Sequence, residues 1–451
     1  VVFFYAVTLM MPINTTGGGY GIILLYKQEE KMEQFRQLFQ GVIEFRLEYI
    51  VMYIVGGVLI YLAIKKDYEP MLLLPIGFGA ILVNLPFKSI WQYEAQLDET
   101  VTKIVSDYPT LQEFFTEKLN YVFENGQAFK VEPGILQILF NSGILTELFP
   151  VLIFVAVGAM IDFSPLLKNP RMILFGAAAQ FGIFFTIMVA LLLNKVFPDL
   201  GFDLKTAASI GIIGAADGPT SIFVASKFAK HLIGPISVAA YSYMSLVPII
   251  QPPVIKALTT KKERMIRMEY KDVKVSKAVL ILFPIVVTVI AGILAPISVS
   301  LVGLLMFGNL IRESGVLERL SKTAQNELAN LVTLLLGITI GSTMHYESFL
   351  QPATLMILLM GLVAFVFDTA GGVLLAKIMN LFTKEKINPM VGAAGISAFP
   401  MSARIVQRMA KREDPQNFIL MQAVGANVAG QLGSIVAGGM VLALVPWLLT
   451  L

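Results

Sequence analysis

The sequence predicts an all-α polytopic membrane protein made of two repeats with discontinuous helices, for which an inverted relation is the expected arrangement. Three observations predict it. Charged residues are 14% of the 451-residue chain, against about 25% in ordinary soluble domains, and a mean hydropathy of +0.75 leaves little polar surface for a water-soluble globule. Asp217 lies inside the apolar run 210–225, where Gly218 and Pro219 follow it and forbid an unbroken helix. A second interrupted apolar segment carries Pro389, Gly395 and Pro400. An ionised carboxylate at the bilayer centre costs roughly 2.5–3.5 kcal/mol on insertion scales, so one that is kept there marks a functional site by default.

Residues 1–49 form the first unit. Residues 1–12 are apolar but have no basic n-region and no initiator Met, which fits a trimmed or processed terminus as well as a signal peptide. Residues 27–48 are charged, with Phe35, Leu38, Phe39, Val42, Ile43 and Phe45 near helical spacing. They read as an interfacial amphipathic helix or as a soluble connector helix. A transmembrane pair follows over 50–87, split by Lys65-Lys66-Asp67. Residues 88–134 are the one long polar stretch, and Val101, Ile104, Val105, Leu111, Phe114, Phe115, Leu119, Val122 and Phe123 within it fit short amphipathic helices. A small helical insertion outside the bilayer is the expectation.

From 135 onward the chain reads as duplicated. Gly158-Ala-Met-Ile-Asp-Phe-Ser-Pro165 is answered by Gly341-Ser-Thr-Met-His-Tyr-Glu-Ser348, and Gly214-Ala-Ala-Asp-Gly-Pro219 by Gly392-Ala-Ala-Gly-Ile-Ser397. Paired Gly/Pro-interrupted segments in two halves point to an ion or substrate site at the repeat interface. The first repeat takes 135–255, with its broken helix around Asp217, and the second half takes 278–451, with its broken helix over 388–400. Between them, 256–277 holds Lys261, Lys262, Arg264, Arg267, Lys271 and Lys274, which the positive-inside rule puts in the cytoplasm.

Other chemistries are mostly excluded. The chain has no cysteine and two histidines, so disulfides, thiolate chemistry and His-rich metal centres are out, and a net charge of +3 gives no argument for nucleic acid. No Gly-Lys pair occurs, so the phosphate loop of ATP-driven pumps is missing. No Met-Lys pair occurs either, which speaks against a biotinylated lysine on this chain. Gly17-Gly18-Gly19 and Gly371-Gly372 follow no strand of a βαβ unit and read as packing or hinge glycines.

The segments 214–222, Asn388-Pro-Met-Val-Gly-Ala-Ala-Gly-Ile-Ser-Ala-Phe-Pro-Met-Ser-Ala-Arg404 and Gly425-Ala-Asn-Val-Ala-Gly-Gln-Leu-Gly-Ser434 resemble the β subunit of the sodium-ion-translocating, biotin-dependent decarboxylases. The resemblance covers about 50–87 and 135 to the end. It implies a membrane subunit of a bacterial or archaeal inner membrane that decarboxylates carboxybiotin and couples this to Na⁺ export. Carboxybiotin would come from a partner subunit. A carboxyltransferase subunit, a biotin carrier protein, a small membrane anchor subunit and membrane lipid are the implied partners, in an oligomeric complex. Oxaloacetate, methylmalonyl-CoA, glutaconyl-CoA and malonate systems would present a similar β subunit. A Na⁺- or H⁺-coupled carboxylate transporter without chemistry is the competing reading.

Carried over by position, the resemblance assigns catalytic roles to Asp217, Tyr243 and Arg404, with Arg404 also holding the carboxylate of carboxybiotin, and Na⁺ contacts to Asp217, Asn388, Gly392, Ser397, Asn427 and Tyr243. The residue types suit these roles. Asp217 supplies charge, Asn388, Ser397 and Asn427 supply neutral oxygens, and Gly392 permits close backbone approach. Tyr243 offers a phenol to an ion or a proton, and Arg404 a planar fork to a carboxylate. Each has a structural reading beside it: Asn388 as a helix N-cap before Pro389, Ser397 and Asn427 as interhelical glue, Tyr243 as a packing aromatic, Arg404 as a snorkelling charge. Asp162 and Asp368 are further acids with apolar flanks, the first reading as a helix end.

Overall fold

The computed structural model describes residues 42, 45–67, 70–86, 92–112, 115, 116, 121–124, 126–269, 274–294 and 296–450. The apolar segment 1–12 and, up to its last few residues, the amphipathic helix expected over 27–48 lie outside the described residues. Helices α1 (Leu47–Lys66) and α2 (Pro70–Val83) form an antiparallel pair. Asn84 just after α2 ties this pair to the second half: its amide donates to the Met344 carbonyl at 2.8 Å and its Oδ1 accepts from the Tyr346 backbone N–H at 2.8 Å.

The polar stretch departs from the helical expectation. Among its described residues a short helix, α3 (Glu99–Asp107), packs beside an antiparallel sheet of order β1-β3-β2, with β1 Gln92–Leu97, β2 Tyr121–Glu124 and β3 Gln127–Pro133. Strands β2 and β3 pair Glu124 with Gln127 across a two-residue turn. Gly126 takes φ +76° there, and the Asn-Gly pair that the sequence carries at this point is, between β-prone runs, the strongest short hairpin signal. The helical reading misses it by taking Val122 and Phe123 for a helix face. Asp98 caps α3 by accepting from the Thr100 and Val101 N–H groups, and its second oxygen accepts from the Tyr121 hydroxyl at 2.7 Å, which fastens helix to sheet.

The rest is helical: α4 (Ile135–Leu145), α5 (Leu148–Met160), α6 (Met172–Ala179), α7 (Phe181–Val196), α8 (Leu204–Gly211), α9 (Gly218–Phe228), α10 (Ile233–Leu258), α11 (Lys277–Leu294), α12 (Val299–Ser314), α13 (Ala329–Ser342), α14 (Pro352–Phe382), α15 (Pro389–Ala393), α16 (Met401–Glu413) and α17 (Leu420–Leu448), with single-turn pieces between them. Among the described residues six helices are long and apolar enough to cross a membrane, and α4 with α5, bent by 60°, makes a seventh if taken as one span. No strand falls in any of these spans. Beyond Lys277 at its start, the exposed residues of α11 (among them Val279, Leu282, Ile285, Val286 and Val289) are apolar, as on a surface bathed in lipid. Helices approach closely where glycines face each other. A Cβ on Gly158 of α5 would overlap the Leu305 carbonyl of α12, and one on Gly308 of α12 the Val155 carbonyl of α5.

The interior is where the two broken segments sit. Helices α8, α9 and α15, the turns that follow α8 and α15, and one face of α16 are almost entirely buried, walled by α6, α7, α10, α14 and α17, while Arg404, Arg408, Lys411 and Arg412 of α16 are exposed.

Candidate functional site

The first broken segment begins where α8 tightens into a single 3₁₀ stretch, Ile212–Ala215. Ala216 then takes a left-handed conformation, φ +52°, and Asp217 is extended before α9 starts at Gly218. Pro219 lies in the first turn of α9, where its missing N–H leaves no helical bond unmade. The break is thus made at Ala216, ahead of the proline, and Pro219 starts the second helix; the sequence alone suggests the opposite division of labour.

Asp217 is 5% exposed. Its Oδ2 accepts from the Thr220 hydroxyl at 2.6 Å and from the Ser434 hydroxyl of α17 at 3.1 Å. No Lys or Arg among the described residues forms an ion pair with it. Tyr241 of α10 lays its ring over Gly218, where a side chain of any kind would collide with it, and its buried hydroxyl has no hydrogen-bond partner.

The second broken segment runs from Asn388 through α15, a turn over 394–400, and α16. Its turn is held by α17. The Asn427 amide donates to the Ile396 carbonyl at 2.6 Å, the Ser397 hydroxyl donates to the Gly430 carbonyl at 2.8 Å, and the Gln431 amide donates to the Ser397 carbonyl. Asn427, Gln431 and Ser434 are spaced four and three apart, so they share one face of α17. That face spans about 10 Å at 1.5 Å per residue. One end holds the second break and the other holds Asp217. The Asn427 Oδ1, buried on this face, accepts no hydrogen bond.

Of the residues assigned from sequence, Asp217, Ser397 and Asn427 therefore gather on α17. The others lie apart from that face. Asn388 caps α15, accepting from the Met390 N–H at 3.1 Å, and donates to the carbonyls of Arg264 and Ile266, 2.9 Å each. Gly392 lies against Gly372 of α14 so closely that a Cβ on either would overlap the other's carbonyl. The Tyr243 hydroxyl donates to the Leu358 carbonyl, and the ring packs on Gly361. Arg404 is exposed in the first turn of α16.

Sequence reasoning passed over Thr220, Ser434, Gln431 and Tyr241. Ser434 and Gln431 carried a readable signal, the i, i+4, i+7 polar spacing from Asn427 in an apolar helix. Tyr241 is two residues from Tyr243 and points elsewhere because a helix turns by roughly 200° over two residues. Among the described residues no three His, Cys, Asp or Glu side chains gather as a metal centre. The donors on the α17 face are one carboxylate with hydroxyl and amide oxygens, the set a hard cation takes.

The family model of the Na⁺-transporting oxaloacetate decarboxylase beta subunit matches residues 48–445. The chain belongs to this family. It is 46% identical over 429 residues to the oxaloacetate decarboxylase beta chain 2 of Salmonella typhi, covering 91% of this chain and 99% of that one. It is 49% identical to the methylmalonyl-CoA decarboxylase subunit beta of Propionigenium modestum, over 88% of this chain and 94% of that one. With the glutaconyl-CoA decarboxylase subunit beta of Acidaminococcus fermentans the identity is 47%, over 90% and 95%. The protein is a multi-pass inner-membrane β subunit of a Na⁺-translocating decarboxylase. Membership decides against a transporter without chemistry. Relatives acting on three different acids stand at nearly equal identity, so the resemblance is to the β subunit itself and carries no preference among the acids.

Proposed function

We propose that this β subunit decarboxylates carboxybiotin brought by a partner subunit and moves Na⁺ outward through a site built on Asp217. Asp217 supports the reading most directly: a buried carboxylate at a helix break, answered by hydroxyl groups of two different segments and, among the described residues, by no basic side chain. Such a charge needs a cation in place of the water it has lost. Oδ2 of Asp217 and the hydroxyl oxygens of Thr220 and Ser434 are the oxygens we assign to Na⁺. Ser397 acts beside them by holding the second break against Gly430. Na⁺ neutralises the carboxylate and lowers the cost of carrying it through an apolar interior.

The two broken segments belong to two inverted repeats, 135–255 and 278–451, on this reading, and a shift of one against the other changes the side from which Asp217 is reached. Breaking the N–carboxyl bond of carboxybiotin releases CO₂ and leaves a nitrogen that takes up one proton. We assign passing it to the phenols of Tyr243 and Tyr241, the first bonded to the Leu358 carbonyl and the second lying over Gly218. Arg404, exposed at the start of α16, holds the carboxylate of carboxybiotin at the cytoplasmic mouth. The biotin itself rides on a separate carrier protein. A carboxyltransferase subunit and a small membrane anchor subunit complete the assembly.

Asp217→Asn tests this, because it removes the charge at nearly constant volume. We expect Na⁺-stimulated decarboxylation of free carboxybiotin and ²²Na⁺ uptake into inverted vesicles to vanish while the subunit still inserts and assembles. Substantial Na⁺-stimulated turnover in the variant would sink the assignment.

A further inference from the structure

A second carboxylate lies in the same interior, and the scheme above makes no use of it. Asp368 is in the middle of α14, a 31-residue span, and is fully buried. Neither of its oxygens has a hydrogen-bond partner. The backbone amides of Gly182 and Ile183, at the start of α7, approach it without the alignment of a hydrogen bond. Two glycines make room for it from two other elements. A Cβ on Gly182 would overlap Oδ1, and one on Gly214, in the 3₁₀ stretch three residues before Asp217, would crowd Oδ2 at 2.6 Å. Asp217 and Asp368 thus flank one short segment, 214–217.

The elements packed against α14 bring few charges. Beyond Gly214 lies Asp217, itself acidic, and Lys205 at the outer end of α8; α10 brings Tyr243, which reaches α14 at Leu358 and Gly361, and Lys256 near its own end; α7 carries Lys195 in its last turn. α6 and α15 bring no charged residue. None of these groups bonds to Asp368.

We propose that Asp368 is a proton-binding site of the membrane domain, linked to the Na⁺ site through the 214–217 segment. The close glycine contacts leave the carboxyl group seated against backbone with no other side-chain oxygen recorded on it, a setting that suits a proton and not the oxygen shell of a metal ion. A buried carboxyl without a partner is held as the neutral acid. A cation arriving at Asp217 makes ionisation of Asp368 less costly, so Na⁺ binding loosens the proton, and by reciprocity a bound proton weakens Na⁺. The linkage, but not the protonation itself, rests on Asp217 being the Na⁺ site.

Two measurements on the detergent-solubilised decarboxylase complex test it. The infrared carbonyl band of a protonated carboxyl should be present at neutral pH without Na⁺ and should be lost in Asp368→Asn. In wild type the Na⁺ concentration for half-saturation should fall as pH rises, by up to about tenfold per pH unit for one linked proton. In Asp368→Asn that dependence should flatten. An unchanged band and an unchanged pH dependence in Asp368→Asn would overturn the inference. Should that variant fail to assemble, the band is sought in Asp217→Asn, where Asp217 cannot supply it, and its absence there is equally fatal. Retained Na⁺ binding in Asp217→Asn would instead overturn the Na⁺ site and leave the band to judge Asp368 alone.

Discussion

Among single residues, the assigned polar groups divide by what their atoms already do. Asn388 spends its amide on the Arg264 and Ile266 carbonyls and its oxygen on the Met390 N–H. Asn427 keeps a buried oxygen free, and Ser434 touches the carboxylate itself. Their alanine variants should therefore differ in kind. Asn388→Ala leaves the Met390 N–H without its cap and the Arg264 and Ile266 carbonyls to the longer bonds from the Asn417 amide, 3.3 and 3.2 Å, and should lower stability by about 0.5–2 kcal/mol with little change in the Na⁺ dependence of turnover. Ser434→Ala should raise the Na⁺ concentration for half-maximal turnover several-fold, and Asn427→Ala, at the far end of the face, should do so less. Paired measurement of thermal midpoints and Na⁺ titrations checks both. A large Na⁺ shift in Asn388→Ala would return that residue to the ion site. The amide at 388 reads as ligand or cap equally well from sequence, because the peptide groups that occupy it, around 264–266, are more than a hundred residues away.

Secondary-structure elements show the same division between the legible and the hidden. The interrupted helices were legible because Gly and Pro in an apolar run have few other uses. Which residue makes the break was not, since Ala216 takes its left-handed turn under tertiary constraint and alanine gives no sign of it. The hairpin at Asn125-Gly126 was legible and overlooked. The basic linker between the halves, expected as a charged loop, is pinned at the second broken segment. Arg264 pairs with Glu413 at 2.8 Å and Arg267 with Asp414 at 2.7 Å, both at the end of α16. Arg267, helped by the Gln416 N–H, holds the Asp414 carboxyl below the usual aspartate range. A depressed carboxyl contributes stability that is fully present above its unfolded value, about 3.9, and is lost as pH falls through the folded value. Arg267→Ala should therefore lower stability slightly at neutral pH, the arginine being largely exposed, and make the loss of stability below about pH 4 shallower by the same amount. An acid-unfolding series read by tryptophan fluorescence would show this, and identical acid limbs in both proteins would mean that the pairing does not hold the linker.

For the whole molecule, the polar groups of the two halves are arranged so that neither half completes the site. Asp217 and Thr220 come from the first broken segment and Ser434 from α17, which through Asn427 and Gln431 also holds the Ile396 and Ser397 carbonyls of the second. An ion bound there holds together parts of the chain more than two hundred residues apart, and a ligand that binds only the native state stabilises it by RT ln(1 + [L]/Kd), about 2.7 kcal/mol at a hundredfold excess over Kd. Na⁺ should accordingly raise the thermal midpoint of the solubilised subunit in a saturable way, and K⁺ at equal ionic strength should raise it less. Asp217→Asn should abolish the Na⁺-specific rise. Asn388→Ala should begin from a lower midpoint yet keep the full rise, because its bonds serve the linker and not the ion. A Na⁺-specific rise of equal size in wild type and Asp217→Asn would place the stabilising ion elsewhere in the fold, and the α17 face would then be a packing seam between the two broken segments.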